Sequence, residues 1–559
     1  MQFESARNLV KNLTDKLGIS EMLEQRPVPP GLRAPVELEG KFPVLGHTVG
    51  FVRGTIDLLK QAEAAGEVVS FRVAHLKMVA VFGPEAQEAV FRAPDEVLNP
   101  SEAYKIMTPV FGKDIVYDAP PAKMNEQIKM LLPALKDRRM RTYGEIIVEE
   151  VEKSIAQWGD SGEIDIVDYC RVLTNFTSSH CLIGSEFRYG MTDEFAGVYH
   201  DLERGVTPLA YLNANLPIPS FRKRNQARVR CVEMITELIH ERRRSGKEGE
   251  DFLQTLMEAK YRSGASLSED EITGLLLAAM FAGHHTSSVT TAWTLIELCQ
   301  HPEWMKKVVE QLDEVYGDGR TVGFHSLREI SQTEWAVKES LRLHPPLFML
   351  VRTAKEDWVY KDYFIPKGSW VLVSPAIAHL MPEVFHDPEL FDPGRYSPER
   401  EEDKRDFAWI PFGGGRHKCM GNAFAILQIK AILAILLRRY EFELVEPNVA
   451  SDFHGLVIGP AQPCRIRYKK RATAGARASD GGGVNGAVHV STKKYKVVAD
   501  LDLCQSHAVC MGEAPEVFHV GKTGKVQLKV VEPAPELRAK VERAVAYCPN
   551  RVLKIVDLE

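Results

Sequence analysis

Hydrophobic and polar residues alternate along most of the chain with the 3.6-residue period of amphipathic helices. The longest such segment starts at a capping box, Ser268 to Glu271, and is predicted to end near His301 after roughly 48 Å. A second apolar segment predicts a helix from Asn422 to Arg439. Shorter strand-like runs occur near Val68–Phe82, Trp358–Val373 and Tyr440–Glu446. We therefore expect a mainly α fold with small β-sheets.

The helical periodicity stops between Arg471 and Val490, where Ala, Gly and Ser dominate. This stretch contains a literal G-x-G-x-x-G, but no strand precedes it and no helix follows it, so a dinucleotide site is not predicted. Its composition is typical of a flexible linker. Beyond it, a strand-like Tyr495–Leu501 and a helical Pro535–Ala546 predict a small α+β domain. We predict a domain over residues 1–470, a linker over 471–490 and a second domain over 491–559.

Composition narrows the functional classes. A chain of 559 residues is too long to fold around one ordinary hydrophobic core, so at least two domains are expected. The net charge of −6, without a basic stripe, argues against nucleic-acid binding. Nine cysteines are too sparse for a disulfide framework, which favours a reducing compartment. The stretch Gln2–Gln25 lacks the ~18 consecutive apolar residues of a membrane span. We expect a cytoplasmic protein without a transmembrane segment.

Cys419 lies in a glycine-rich run, Phe412 to Gly421, directly before the predicted helix Asn422–Arg439. Backbone N–H groups and the helix dipole stabilise a thiolate at a helix N-terminus. Such a thiolate suits haem iron, where it favours O–O cleavage. Gly413 to Gly415 and Gly421 would let the backbone pass close to a flat macrocycle. The alternative is a glycine turn before a core helix with a structural cysteine.

The middle of the long helix carries Ala282, Gly283 and Thr286 on one face, with His285 beside them. Small residues leave room for a diatomic such as O2, a hydroxyl can hold it, and an imidazole can supply protons. The alternative is a helix kinked at Gly283, in which Thr286 bonds back to the backbone.

Glu339 and Arg342 form an i, i+3 pair, and Arg395 follows in a Phe-Asp-Pro-Gly-Arg-Tyr run. A surface ion pair is the simplest interpretation of the first two residues. With Arg395, the three residues would instead form a buried cluster that holds the chain ahead of the Cys419 loop.

Together these motifs resemble the cytochrome P450 family of haem-thiolate monooxygenases, over about residues 30 to 470. The loop from Tyr104 to Gly112, followed by Tyr117-Asp118, resembles the signature of sterol 14α-demethylases more narrowly, as does a histidine before Thr286. The resemblance implies haem b on Cys419, in a loop that includes Phe412 and Gly415. It also implies that Asp201 pairs with His285 and relays protons.

The resemblance also implies two larger sets of residues. Donors to the haem propionates would be Tyr104, Tyr117, Lys129, Arg352 and His417. The sterol pocket would be lined by Tyr104, Ile106, Met107, Phe111, Ala282, Leu347, Met349 and Leu456, although ordinary core packing would also explain its apolar members. By the same resemblance, the aliphatic Ile106 implies a preference for lanosterol over 4α-monomethyl sterols.

The C-terminal domain carries Cys504, His507, Cys510 and Cys548. So short a domain gains stability from a metal. Structural zinc in a Cys3His site is one interpretation. The Cys…Cys…Cys-Pro pattern resembles small bacterial ferredoxins, with His507 where four-iron members have a cysteine. We therefore expect a [3Fe-4S] cluster on the three cysteines, with a [4Fe-4S] cluster that uses His507 as the alternative.

These interpretations predict a sterol 14α-demethylase that oxidises a lanosterol-like sterol three times with O2 and takes electrons from its own ferredoxin domain. No flavin or nicotinamide site is visible in the sequence, so a separate NAD(P)H-dependent ferredoxin reductase is expected. Two alternatives stay open. One is a monooxygenase of another lipid, such as a hopanoid or terpene, and the other is a non-catalytic haem and iron–sulfur redox sensor.

Overall fold

The structure of the chain is a computed structural model. It describes residues 26–42, 45–135, 137–190, 192–207, 210, 213–317, 319–453, 457–471, 494–501, 504, 509–521, 525–546, 548 and 552–558. The predicted linker beyond residue 471, together with Leu456 and His507, lies outside the described residues.

Helices make up most of the described chain. In chain order they are α1 (Thr48–Ala65), α2 (Pro84–Arg92), α3 (Ser101–Tyr104), α4 (Thr108–Phe111), α5 (Pro121–Leu131), α6 (Asp137–Ile155), α7 (Ile166–Leu182), α8 (Ser185–Gly190), α9 (Thr192–Arg204), α10 (Pro219–Ser245), α11 (Phe252–Glu258), α12 (Glu269–Gln300), α13 (Pro302–Tyr316), α14 (Ser331–Leu343), α15 (Pro375–Ala378), α16 (Asn422–Arg439), α17 (Val509–Glu513) and α18 (Arg538–Ala546). Within these residues no helix is both long enough and apolar enough to span a bilayer.

The strands are short. They are β1 (Val36–Glu37), β2 (Val68–Val73), β3 (Leu76–Val81), β4 (Leu98–Asn99), β5 (Ser161–Asp165), β6 (Leu350–Ala354), β7 (Trp358–Tyr360), β8 (Tyr363–Ile365), β9 (Trp370–Val373), β10 (Tyr440–Leu444), β11 (Ser451–Asp452), β12 (Gly459–Pro460), β13 (Arg465–Lys470), β14 (Tyr495–Ala499), β15 (Phe518–Val520), β16 (Val526–Leu528) and β17 (Leu553–Asp557). The prediction of a mainly α protein with small β-sheets is confirmed.

The chain divides into two compact units. The first comprises residues 1–105, 347–389 and 402–414. Its centre is a sheet of order β1-β2-β3-β9-β6-β4, in which β2 and β3 pair antiparallel with Val68 opposite Val81. The alternating apolar residues of these strands are buried against α1 and α2. The strands predicted near Val68–Phe82 and Trp358–Val373 are therefore confirmed.

The second unit comprises residues 106–346, 390–401 and 415–559, and α12 is its longest helix. α12 begins where the sequence predicts, because the Ser268 Oγ accepts from the Glu271 N–H at 3.2 Å and Glu271 Oε2 accepts from the Ser268 N–H at 2.8 Å. α7 packs along it. At Gly274 an added Cβ would lie 2.2 Å from the Phe111 carbonyl oxygen, so only glycine permits α4 to approach this closely.

Glu271 also ties α12 to neighbouring segments. Its carboxylate accepts from the Lys123 ammonium and from the Tyr261 hydroxyl, each at 2.8 Å. Burial alone would raise the pKa of Glu271, but these donors and the Ser268 N–H outweigh it and lower the pKa to about 2.

The C-terminal residues of the second unit form a small α+β module. Its first and last strands, β14 and β17, pair antiparallel with Tyr495 opposite Asp557, and β15 pairs with β16. α17 packs on α18 over a core that includes Val497, Phe518 and Val541. The small domain predicted after residue 490 is thus present in the described residues.

Candidate functional site

The loop before α16 presents Cys419. Gly413 and Gly415 adopt φ of +65° and +61°, which favours glycine over other residues. A Cβ on Gly414 would lie 2.8 Å from the Phe407 ring. Loop conformation and packing therefore explain these three glycines locally, whereas the sequence interpretation assigned them to a close approach to a macrocycle. At Gly421 an added Cβ would meet only the Cys419 sulfur, at 4.0 Å.

Cys419 is the one exposed cysteine of the nine. Its surroundings still desolvate the sulfur, which raises the pKa of the thiol, while the N–H groups of Gly421 and Asn422 and the Lys418 ammonium lower it. An accessible sulfur at a helix start, with N–H donors directed at it, fits an axial ligand of haem iron, since coordination removes the thiol proton outright.

Glu339, Arg342 and Arg395 meet in a fully buried cluster in the second unit. Arg342 donates to both carboxylate oxygens of Glu339 at 2.8 Å, and Arg395 Nε donates to Oε1 at 2.9 Å. The Tyr396 hydroxyl donates to Oε2 at 2.9 Å. The structure brings the three predicted residues together and adds Tyr396, which the sequence interpretation did not include. Its position directly after Arg395 was the available signal.

The middle of α12 contains an opening on an otherwise buried helix. Ala282 is exposed and Thr286 is half-buried. Thr286 Oγ1 donates to the Ala282 carbonyl at 2.6 Å, the back-bond of the alternative interpretation, but α12 continues as one helix. A Cβ on Gly283 would make ordinary contacts with Phe424 and Ser178, so Gly283 faces packed protein. Ala282 and Thr286 therefore border the opening.

His285 is paired with a carboxylate, but that carboxylate is not the one predicted. Its Nε2 lies 2.7 Å from Oε1 of Glu203, whose side chain is 8% exposed. The prediction that Asp201 is the partner is wrong. Side chains two positions apart on a helix point in directions about 200° apart. Asp201 and Glu203 therefore point to opposite sides of α9. Tyr199, one turn before Glu203, is buried on the same side.

His284 completes this cluster. It is buried, its Nδ1 lies 3.0 Å from Thr174 Oγ1, and its Nε2 lies 3.7 Å from Glu203 Oε1. Burial, together with neighbouring His285, holds the pKa of His284 well below its ordinary value, so this ring is neutral. The arrangement places the neutral imidazole of His284 beside the close contact of His285 with Glu203, next to the opening at Ala282.

The predicted propionate donors fall in both units. In the second unit, the Tyr117 and His417 rings lie 6.4 Å apart, and Lys129 is exposed on α5. In the first unit, Tyr104 is half-buried. Arg352 there is 6% exposed, and its Nη1 donates to the Val351 carbonyl at 3.0 Å.

Among the described residues no carboxylate pairs with Arg352. A buried guanidinium is costly unless an anion accompanies it, so this residue fits a haem propionate. Phe412, in the same unit, is half-buried with its ring 5.9 Å from that of Trp409.

Gln127 is a positioning residue that the sequence interpretation missed. Its buried amide accepts from the Val116 N–H at 2.7 Å and donates to the Asp114 carbonyl at 3.0 Å. Both residues have left-handed backbones, with φ of +48° at Val116 and +59° at Asp114. A β-branched residue rarely adopts this conformation. Gln127 therefore holds a strained turn directly before Tyr117.

The predicted sterol-lining residues divide by burial. Ile106 and Met107 are buried in the helical core of the second unit, which agrees with core packing. Phe111 is half-buried, edge-on to Phe281 at 6.0 Å. Leu347 and Met349 are half-buried in the first unit, and Leu456 lies outside the described residues. Their contact with a sterol stays a prediction.

The three cysteines of the C-terminal module face a common interior. Cys504 and Cys510 are buried, and Cys548 is half-buried. Backbone N–H groups of Val526 and Val552 donate to the sulfurs of Cys504 and Cys548, each at 3.4 Å. Burial, with the nearby Cys548 sulfur, raises the pKa of Cys510 to about 12. Because neighbouring thiolates repel one another, deprotonating these cysteines requires bound metal cations. Backbone N–H groups that donate to the sulfurs are typical of iron–sulfur clusters.

Comparison with known families agrees with this geometry. Residues 36–463 match the cytochrome P450 family model. The chain belongs to the cytochrome P450 family. Residues 497–555 match the 4Fe-4S single cluster domain. The predicted haem-thiolate fold and the iron–sulfur domain are thus confirmed, while the number of irons in the cluster stays a prediction.

Within the P450 family, this chain is similar to sterol 14-demethylases. Sterol 14alpha-demethylase of Mycobacterium tuberculosis is 44% identical over 76% of this chain and 96% of its own length. Sterol 14-demethylase of Arabidopsis thaliana is 39% identical over 78% and 92%, and Lanosterol 14-alpha demethylase of Bos taurus is 35% identical over 80% and 90%. The solved retinoic acid-bound cyanobacterial CYP120A1 shares the fold, with a TM-score of 0.71 at 22% identity over 79% of this chain and all of its own.

Proposed function

We propose that this P450 is a sterol 14α-demethylase that removes the 14α-methyl group of a lanosterol-like sterol in three successive oxidations. The observation that carries the proposal is identity of 35–44% to curated demethylases of bacteria, plants and mammals along 90–96% of their length. Haem held by Cys419 supplies oxygen activation at the unreactive C–H bond.

The chain's own residues orient reactants and handle protons. Thr286 and His285 serve as the oxygen-facing hydroxyl and the proton donor, and Glu203 holds His285 at 2.7 Å. The Cys419 loop with Phe412 and Gly415 holds the haem. Its propionates would be held by Tyr104, Tyr117, Lys129, Arg352 and His417. The sterol contacts Tyr104, Ile106, Met107, Phe111, Ala282, Leu347, Met349 and Leu456.

Electrons reach the haem from the C-terminal iron–sulfur domain, whose ligands are Cys504, Cys510 and Cys548. We favour a [3Fe-4S] cluster because His507 stands in the fourth position. A separate NAD(P)H-dependent reductase recharges the cluster. The proposed domain limits are 1–470 and 491–559, with a linker over 471–490, and O2 is the co-substrate. The proposed location is the cytoplasm, because the cysteines are too sparse for a disulfide framework.

Three measurements on the full-length holoprotein test this function. Lanosterol should shift the haem Soret band from low to high spin, and turnover with a reductase and NADPH should yield formate and a 14,15-unsaturated sterol. A response to hopanoids or terpenes in place of lanosterol would assign another lipid. Lack of lipid-dependent NADPH consumption would indicate a redox sensor. A reduced carbon monoxide complex without the red-shifted Soret band would remove Cys419 as the haem ligand.

A further inference from the structure

In the described residues, an ion pair joins the iron–sulfur module to the P450 domain. The Glu513 carboxylate accepts from Nη1 of Arg328, 185 residues away, and from Nε of Arg543 in its own module at 3.3 Å. The side chains of Glu513 and Arg328 are each 17% exposed. The pair is therefore partly desolvated, and such pairs are stronger than fully solvated surface pairs.

Glu513 lies close to the cluster along its helix. It ends α17, and the cluster ligand Cys510 lies three residues earlier on the same helix. Residues three apart on a helix are neighbours on one face. A partner that binds Glu513 is thus held beside the cluster-binding edge of the module.

Arg328 lies close to the haem-ligand helix in the fold. It ends the 3₁₀ turn Ser326–Arg328, which packs against α16, and α16 begins directly after the Cys419 loop. Its guanidinium lies 4.4 Å from the Phe324 ring centroid, and Leu327 beside it is buried. These contacts hold the cation in place before any docking.

Long-range attraction contributes little to this docking. Residues 491–559 contain eleven Lys and Arg against nine Asp and Glu, so before the cluster is counted the module lacks a negative net charge. Docking must therefore depend on particular local pairs and on the tether, which raises the effective concentration of the module to about millimolar.

We propose that the iron–sulfur module docks on the P450 domain of its own chain through Glu513 and Arg328. The docked state serves a one-electron transfer in which the reduced cluster is oxidised and the ferric haem is reduced, and the NAD(P)H-dependent reductase then recharges the cluster. The inference rests on the proposed electron donation by this module, but it does not depend on the identity of the lipid substrate.

A charge-swap series tests the contact. In full-length holoprotein the reductase reduces the cluster, and haem reduction is followed as the carbon monoxide complex without sterol. Arg328→Glu and Glu513→Arg should each slow the transfer about tenfold at low ionic strength. The double swap should recover part of the lost rate, because the attraction between positions 328 and 513 is restored with reversed sign while Arg543 then faces a like charge at position 513. An unchanged rate in Arg328→Glu would overturn the proposal.

Arg320→Glu is the matched control, since Arg320 makes an exposed pair with Glu329 at 2.6 Å eight residues before Arg328. It should leave the rate unchanged, and an equal loss in this variant would assign the effect to general surface charge. Transfer within one chain should also be independent of protein concentration over about a hundredfold dilution. A rate proportional to concentration would show docking between chains and overturn the proposal.

A structural readout separates docking from loss of cofactors. Small-angle X-ray scattering at low salt should give a larger radius of gyration for Arg328→Glu than for the wild type, and the double swap should reverse the change. Equal radii would contradict docking. Dithionite reduction and iron and sulfide counts show whether cluster and haem are loaded, so failure of the electron-donor function is distinguished from failure of this contact.

Discussion

Replacing Glu203 by Gln removes the charge beside His285 while keeping the side-chain volume. The two groups are 2.7 Å apart and the carboxylate is 8% exposed, so solvent screens their interaction little. A hydrogen bond from the imidazole to this carboxylate during proton delivery would contribute about 1.5–3 kcal/mol. If His285 delivers protons only while Glu203 holds it in place, the rate of sterol demethylation should fall about 10–100-fold, because each ~1.4 kcal/mol corresponds to a factor of ten in rate.

The assay is demethylated sterol formed per NADPH consumed, with the solvent isotope effect as a second readout, because a purely structural change would not alter the isotope effect. His285→Ala should lower the coupling similarly, and adding Glu203→Gln to it should have little further effect, since the two residues act as a unit.

Asp201→Asn is the matched control, with the same chemical change two residues away on the other side of α9. We expect product yield within about twofold of the wild type, as for most surface substitutions. Thermal unfolding of each variant establishes that the fold is intact. If Asp201→Asn uncouples turnover and Glu203→Gln does not, the reasoning from the structure is refuted and the pairing expected from the sequence is restored.

Three further substitutions have measurable effects on urea unfolding. Gln127→Leu should lower the free energy of unfolding by about 1–3 kcal/mol, because two partly buried backbone groups lose their partner. The loss should be smaller in a Val116→Gly background, where glycine accepts the left-handed turn. Glu271→Gln should lower the free energy of unfolding by about 1–2 kcal/mol at pH 7, after allowing for solvent screening. The pKa of Glu271 is about 2 in the folded protein and near 4.5 in the unfolded chain, so this loss should disappear as the pH falls from 4.5 to about 2. Glu339→Gln should lower the free energy of unfolding by about 3–5 kcal/mol, because two buried arginines lose their anion. The fraction of protein that retains haem should fall as well. Losses under about 0.5 kcal/mol would contradict each estimate.

Features encoded along a short stretch of chain were predictable from the sequence. The capping box at Ser268 gave the start of α12, and the apolar run after Cys419 predicted α16 with its observed limits, Asn422–Arg439. Both depend on neighbours within about one helical turn. The cluster of Glu339 with Arg342 is partly local as well, and Arg395 was added to it from its own Phe-Asp-Pro-Gly-Arg-Tyr run.

Partners that come from different elements were not predictable in this way. Choosing Asp201 over Glu203 required knowing which side of α9 meets α12. Gln127 binds a turn eleven to thirteen residues earlier in the chain. Its role depends on a left-handed backbone at Val116, which the residue types there do not predict. Resemblance identified the motifs, but tertiary packing decided the contacts between them.

A single local signal nevertheless points to both missed residues. On α9 the buried Tyr199 and Leu202 define an apolar stripe, and Glu203 continues it at i+4 from Tyr199. On α5, Gln127 lies between buried Met124 and Met130 at spacings of three residues. A polar side chain on an apolar stripe must find a partner when the stripe is buried, because an unpaired buried polar group costs about 1–3 kcal/mol. Polar residues at apolar-stripe positions are therefore better candidates for hidden site contacts than polar residues on the opposite side of the same helix, such as Asp201.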